Sequence, residues 1–167
     1  MNQGKIFEND FKNSIPDDCW LYRLRDNAAS FDRSKSTRFA SNNACDFILY
    51  TDYSPMLFLL ELKTVQNKSI PFSMVRKNQI DFLREYSKHN LFAGLICNYR
   101  NEDNDTFFID INDFIYMQST INKKSFNVDD LIRYNAIRIE SKKKRIHYLY
   151  DVKKFTKTLV ERKNEND

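Results

Sequence analysis

Residues 45–63 read CDFILYTDYSPMLFLLELK, two apolar runs separated by a turn at Asp52, Tyr53, Ser54 and Pro55. Aromatic and aliphatic runs bounded by such turn formers predict strands over 45–51 and 56–62, joined as an antiparallel hairpin. Met56 to Leu62 is apolar at every position but Glu61, which predicts a central strand covered on both faces. A period of two puts Asp46, Ile48 and Tyr50 on one face of the first strand, and Leu59, Glu61 and Lys63 on one face of the second. A carboxylate inside an apolar strand is costly to ionise without a partner, so Glu61 calls for a cation, a proton or a lysine. An isolated Glu-x-Lys is most often a salt bridge at a strand end. Here an aspartate on the preceding strand and a helix after the second strand add to it. Two hard carboxylate oxygens suit Mg²⁺, which keeps several waters and takes its remaining ligands from substrate phosphate. Lys63 would then position the attacking water or neutralise the developing anion.

Outward from the hairpin, Phe7, Phe11 and Ile15 recur at helical spacing, which predicts a first helix over 5–14 with Glu8 at the edge of its apolar face. Trp20 to Arg25 alternates as a short strand. The polar stretch 26–43, rich in Ser, Asn and Arg, has no period and reads as a mobile segment or long loop. Downstream, 73–90 reads as a helix with Val75, Phe82, Leu83 and Tyr86 facing inward, and 91–99 as a buried strand, so the helix crosses over the sheet. Gln79 falls within the inward stripe, where a buried amide needs partners. It is either a satisfied core glutamine or a ligand for the attacking water or a phosphate oxygen. A strand over 106–111, a helix over 113–121 and a helix opening at Asn127, Asp129 and Asp130 follow. Two further strands, 136–140 and 146–150, flank a turn carrying Lys142, Lys143, Lys144 and Arg145, and a last helix runs over 152–162.

The chain has 167 residues, 41% of them apolar and 30% charged, with a mean hydropathy of −0.66. That is enough apolar material for one packed domain spanning 1–167. No stretch approaches the roughly 18–20 apolar residues of a membrane span and the first ten residues lack a signal-peptide core, so a cytoplasmic location is expected. The three cysteines, Cys19, Cys45 and Cys97, are widely separated among apolar neighbours. This excludes a disulfide framework and a zinc site in favour of reduced core thiols. The net charge is +4 and the lysines cluster, which points to a polyanionic partner or to ordinary solvated faces.

With these elements in place the chain resembles the PD-(D/E)XK nuclease superfamily, and within it the RecU-type Holliday junction resolvases of Gram-positive bacteria and their phages. The resemblance runs through GKIFENDFKNS with Glu8, ACDFILY with Asp46, LFLLELKTVQNKSIPFSMVRKNQIDFL with Glu61, Lys63 and Gln79, INKKSFNVDDL, and RIHYLYDVKKF. It implies a restriction-endonuclease-like α/β fold, a central mixed sheet flanked by helices. It further implies that Asp46 and Glu61 bind a divalent metal with the backbone carbonyl of Leu62, that Lys63 is the catalytic lysine, and that Glu8 and Gln79 support them, Glu8 as a further metal ligand. The implied activity is Mg²⁺-dependent nicking of four-way DNA junctions, with Mn²⁺ as a substitute. A homodimer would make symmetrical cuts that leave 5′-phosphates, in DNA recombination and repair. Arg33, Lys35, Arg38, Lys68, Arg76, Lys77, Lys123 and Lys124 are the candidate DNA contacts. The interval from Glu8 to Asp46 is shorter than the one holding the stalk of bacterial members, so a shortened stalk at 26–43 and a compact phage or mobile-element version are expected. Two rivals are a restriction-like or flap-selective nuclease with the same site, and a basic DNA-binding protein in which the three residues form only a buried ion cluster.

Overall fold

A computed structural model describes residues 2–24 and 45–166. The expected loop or stalk at 26–43, with Arg33, Lys35 and Arg38, lies outside the described residues. The chain opens with α1 (Gln3–Lys12), capped by the Asn2 side chain, which accepts from Gly4 N at 3.0 Å and so satisfies a helix-end amide. Strand β1 (Cys19–Arg23) follows, then β2 (Phe47–Thr51) and β3 (Met56–Val65), the hairpin turning at 52–55. A two-residue strand β4 (Ile70–Pro71) leads through a 3₁₀ turn (Phe72–Met74) into α2 (Lys77–Tyr86) and β5 (Phe92–Tyr99). The remainder comprises β6 (Thr106–Asp110), α3 (Ile111–Thr120), β7 (Ser125–Phe126), α4 (Val128–Arg133), β8 (Ile137–Arg138), β9 (Ser141–Lys144), β10 (His147–Tyr150) and α5 (Val152–Asn166).

Six strands form the central sheet in the order β1-β2-β3-β5-β6-β8. β3 pairs parallel with β5 and every other pairing is antiparallel, so the sheet is mixed, as expected. The parallel pair forces a crossover, and α2 makes it. Alternation along β3 separates two cores. Leu59, with Leu95 and Cys97 of β5, faces Leu83 of α2, Phe114 and Met117 of α3 and Leu131 of α4. Phe58 and Leu60, with Phe47 and Leu49, face Phe7 and Phe11 of α1 and Phe155 and Leu159 of α5. Strand β3 is thus central and buried from Phe58 to Leu62, as its unbroken apolar run implied.

Several expected boundaries shift. The crossover helix starts at Lys77, because Phe72–Met74 coil as a 3₁₀ turn held by the β4–β7 ladder. Of its expected inward stripe, Val75 and Leu83 are buried, but Tyr86 is 42% exposed and packs on Phe82 with ring centroids 4.5 Å apart. The expected lysine turn is a strand instead: Lys142, Lys143 and Lys144 lie in β9, paired with β10, and the chain reverses at Arg145, whose φ is 58°. The thiols of Cys45 and Cys97 are buried and free, their pKa values pushed up to about 12 by burial.

Gly94 sits where β5 meets β6, and a Cβ there would overlap the Ile109 carbonyl oxygen and the Phe108 ring. A backbone atom cannot rotate aside. Gly94→Ala is expected to lower unfolding stability by about 1–3 kcal/mol, the usual range for overpacking, read as a reduced urea midpoint at unchanged m-value.

Candidate active site

The register of the sheet assembles the site. Phe47 pairs with Leu60 and Ile48 with Leu59, so Asp46, one residue before the ladder, stands opposite Glu61 on the face covered by α2. The Asp46 backbone N–H donates to Leu60 O at 3.0 Å, and Asp46 Oδ2 accepts from the Leu62 backbone N–H at 2.7 Å. The aspartate is therefore pinned to β3 by its own strand and by a charge-assisted bond. On β3 itself, Glu61 and Lys63 are two residues apart and share a face. Lys63 Nζ donates to Glu61 Oε1 at 2.7 Å.

Helix α2 closes the site from above. Gln79 is 2% exposed, and both ends of its amide are used. Its Nε2 donates to Glu61 Oε1 at 2.5 Å, and its Oε1 accepts from Lys63 Nζ at 3.3 Å and from the Arg76 backbone N–H at 3.1 Å. The last bond serves one of the unsatisfied amides at the helix start, so Gln79 locks the first turn of α2 to the acidic pair. Four residues singled out from sequence, Asp46, Glu61, Lys63 and Gln79, thus meet in one cluster.

Glu61 is 2% exposed, and its Oε2 is buried with no hydrogen-bond partner among the described residues. Burial is the main cause that pushes its pKa up to about 7, with the Asp46 charge second, against Lys63 and Gln79, which favour the ionised form. Burial also raises the pKa of Asp46, opposed by the Leu62 N–H. With both acids ionised, two negative charges face the single ammonium of Lys63, so the cluster lacks one positive charge. Two oxygens with no thiolate or imidazole form a hard-donor set, which suits Mg²⁺ or Mn²⁺ and not zinc. Among the described residues no group of three or more His, Cys, Asp and Glu side chains is arranged to hold a metal ion, so substrate and water would complete such a shell.

Glu8 stands apart from this cluster. It projects from α1 toward β1 and accepts from Arg23 at 2.5 Å, although its charge still raises the Asp46 pKa. Arg23 was not singled out from sequence, since nothing in a strand's alternation names its partner on a distant helix. Leu62 contributes its N–H to Asp46, a backbone contact that side-chain patterns do not carry. Of the candidate DNA contacts, Lys68, Arg76, Lys77, Lys123 and Lys124 are exposed. The β4–β7 ladder and the bond from Phe72 N to Lys124 O draw the Lys123–Lys124 stretch beside the segment that leads into α2. Lys77 pairs with Asp81 and Lys123 with Asp130. A separate surface hollow lined by Phe108, Asp110, Asp113 and Asn135 contains none of these residues.

The model of the family described as recombination protein U, RecU, matches residues 19–154. The chain belongs to the RecU family. The matched region runs from the first residue of β1 into α5, and so contains Asp46, Glu61, Lys63 and Gln79 but not Glu8. RecU membership supports a Holliday junction resolvase role in DNA recombination, that of an endonuclease acting on branched DNA. The mixed sheet flanked by helices is consistent with a RecU, restriction-endonuclease-like fold. The chain is also 29% identical over 182 aligned positions to the SPbeta prophage-derived uncharacterized protein YotM of Bacillus subtilis strain 168, with 99% of this chain and 91% of the relative covered. That relative's origin fits a phage-encoded member. No helix among the described residues is long and apolar enough to cross a membrane.

The Glu61 pKa fixes a pH dependence of stability. A carboxyl with a folded-state value of about 7 and an ordinary value of 4.5 contributes its full stability below the lower value and loses it as pH rises through the higher one. Without divalent ions, the melting temperature should fall between about pH 4.5 and 7.5. Glu61→Gln should flatten that fall and raise stability at pH 8 by of order 1–3 kcal/mol. Thermal melts of both proteins in EDTA across this range test it, and a variant less stable than wild type at pH 8 would contradict it.

Proposed function

We propose that the protein resolves four-way DNA junctions as a Mg²⁺-dependent homodimer, each subunit nicking one strand and leaving a 5′-phosphate. The observation that carries this reading is the buried Oε2 of Glu61, without a hydrogen-bond partner among the described residues, beside Asp46 in an anionic pair short of one positive charge. Asp46 and Glu61 would hold the ion, with the Leu62 carbonyl and Glu8 as further ligands and Mn²⁺ as a substitute. When bound, the ion supplies charge neutralisation at the scissile phosphate and acidifies water. The chain's own residues do the rest. Lys63 Nζ, held by Glu61 and Gln79, presents an ammonium to the attacking water or to the negative charge that develops on phosphorus, where a fixed donor costs no reorganisation. Gln79 keeps Lys63 and Glu61 in register and would contact the water or a phosphate oxygen. Lys68, Arg76, Lys77, Lys123 and Lys124, with Arg33, Lys35 and Arg38 in the 26–43 segment, would grip the DNA backbone, a contact that fixes position and not sequence.

A cleavage assay on labelled four-way junction, flap and linear duplex, with Mg²⁺, Mn²⁺ or EDTA, tests the proposal. Paired cuts in the junction are expected with either metal and none in EDTA. Asp46→Asn and Lys63→Ala should each lower the cleavage rate by about 100-fold or more while junction binding persists. Gln79→Ala should have a smaller effect on rate. Cuts confined to flaps or linear duplex would favour the branch-selective or restriction-like alternative. Tight binding with no cutting in either metal would leave only a DNA-binding protein.

A further inference from the structure

Edge strand β1 carries the chain's only tryptophan, Trp20. Trp20 is 54% exposed and Tyr22 50% exposed. Their rings lie nearly parallel, 15° apart, with centroids at 5.9 Å. Large aromatics at two consecutive outward positions leave a flat apolar surface in water, where exposed patches mark interaction sites. The register places that surface. Tyr22 pairs with Ile48 and Ile48 with Leu59, while Trp20 pairs with Tyr50. Cross-strand partners share a face, so the rings lie on the same face as Asp46, Glu61 and Lys63. The Leu24 N–H donates to Asp46 O, so Tyr22 is one pleat from the Asp46–Glu61 row and Trp20 is two. With strands about 4.8 Å apart and about 6.7 Å between same-face residues, Tyr22 stands roughly 12 Å from Glu61. That separation is about three to four nucleotide rises of 3.4 Å.

We propose that Trp20 and Tyr22 form a stacking platform for an unpaired base displaced from the branch point, a few nucleotides from the bond that the Asp46–Glu61–Lys63 site attacks. This rests on the branched-DNA reading. Fully paired duplex buries its base faces, whereas a junction can release a base, and aromatic rings accept any base because each has a π-face. Helices α2 to α4 pack over the β3, β5 and β6 half of this face, while Ile48 and Tyr50 beside the platform are only half-buried. A strand lying from Asp46 and Glu61 toward β1 therefore meets no helix among the described residues. Arg23, next to Tyr22 and on the opposite face, is engaged with Glu8, and the chain continues into the Arg- and Lys-bearing 26–43 segment.

Trp20 reports on its own contact. The full-length protein in EDTA, where cutting is prevented, would be titrated with four-way junction, single strand and linear duplex while tryptophan emission is followed. Strong quenching by junction and single strand, and little by duplex, is expected. Trp20→Ala and Tyr22→Ala should each weaken junction binding about 5- to 100-fold with duplex binding within about twofold, and Trp20→Phe, which keeps a ring, should recover most of the loss. Circular dichroism and melting of the variants control for folding, and half-exposed positions should leave both near wild type. Three results would overturn the proposal: equal losses on duplex, a fall from dimer to monomer in Trp20→Ala that shows a second copy covering the patch, or Trp20 emission in free protein already shielded from acrylamide. If wild type binds junction tightly and Trp20 stays silent, only the stacking role fails. If wild type does not bind junction at all, the branched-DNA reading fails with it.

Discussion

Glu61 is a carboxylate in the buried centre of β3, and much of the surrounding architecture serves to keep it there. Strand β2 brings Asp46 alongside, β5 covers its other flank, and α2 lowers Gln79 onto it. The last step follows from topology. A parallel β3–β5 pair cannot be closed by a tight turn, so the chain must travel back across the sheet. The returning helix lies over the face on which Glu61 and Lys63 project. Gln79 then performs two tasks with one amide, holding the acid with its nitrogen and the lysine and the Arg76 N–H with its oxygen. A leucine at that position would pack as well but would strip Glu61 of a donor and leave the Arg76 N–H to find another partner.

The imbalance of charge explains why the cluster is more than a buried salt bridge. A Glu–Lys pair taken out of water approaches neutrality and, when well hydrogen-bonded, needs nothing further. Adding Asp46 breaks that balance. Its Oδ2 is compensated by the Leu62 N–H, a dipole and not a charge, so the deficit remains. Glu8 adds to it, since its charge also raises the Asp46 pKa even though Arg23 pairs with Glu8 at 2.5 Å. The deficit is met by a proton at low pH, toward which the raised Glu61 pKa already leads, and at higher pH would be met by the proposed cation. Protonation would disable the acid as a ligand. A proton and that cation would therefore compete for an acid poised near neutrality.

The fold's centre was legible because two apolar runs, bounded by a single turn at 52–55, mark β2 and β3, and register then follows from that turn. The four-residue cluster was legible for the same reason, as parity puts Asp46 and Glu61 on one face and a helical repeat puts Gln79 inward. What sequence left dark depends on neighbours far along the chain. Lys142 to Lys144 have poor β-propensity and read as a turn, yet β10 supplies a partner that makes them a strand. Tyr86 has the spacing of a core residue but is the last residue of α2, where it packs on Phe82 and stays partly exposed. Arg23 finds Glu8, and Leu62 N–H finds Asp46, through geometry that no local pattern encodes.

The uneven covering of the sheet links burial to access. On the α2 face, side chains go from fully buried at Leu95 and Cys97, through Glu61 at 2% exposure, to the half-buried Asp46 and Ile48 and the half-exposed Trp20 and Tyr22. Burial at one end supplies the low dielectric that makes charges strong and shifts the acid. Exposure at the other end admits a substrate as bulky as a DNA strand, which no enclosed cavity could hold. A site at the boundary has both properties. If α2 reached one strand further it would seal Asp46 from phosphate, and if it stopped one strand short Gln79 would lose Glu61 and water would reach the acid. The length of the β3–β5 crossover therefore sets the chemistry as well as the topology.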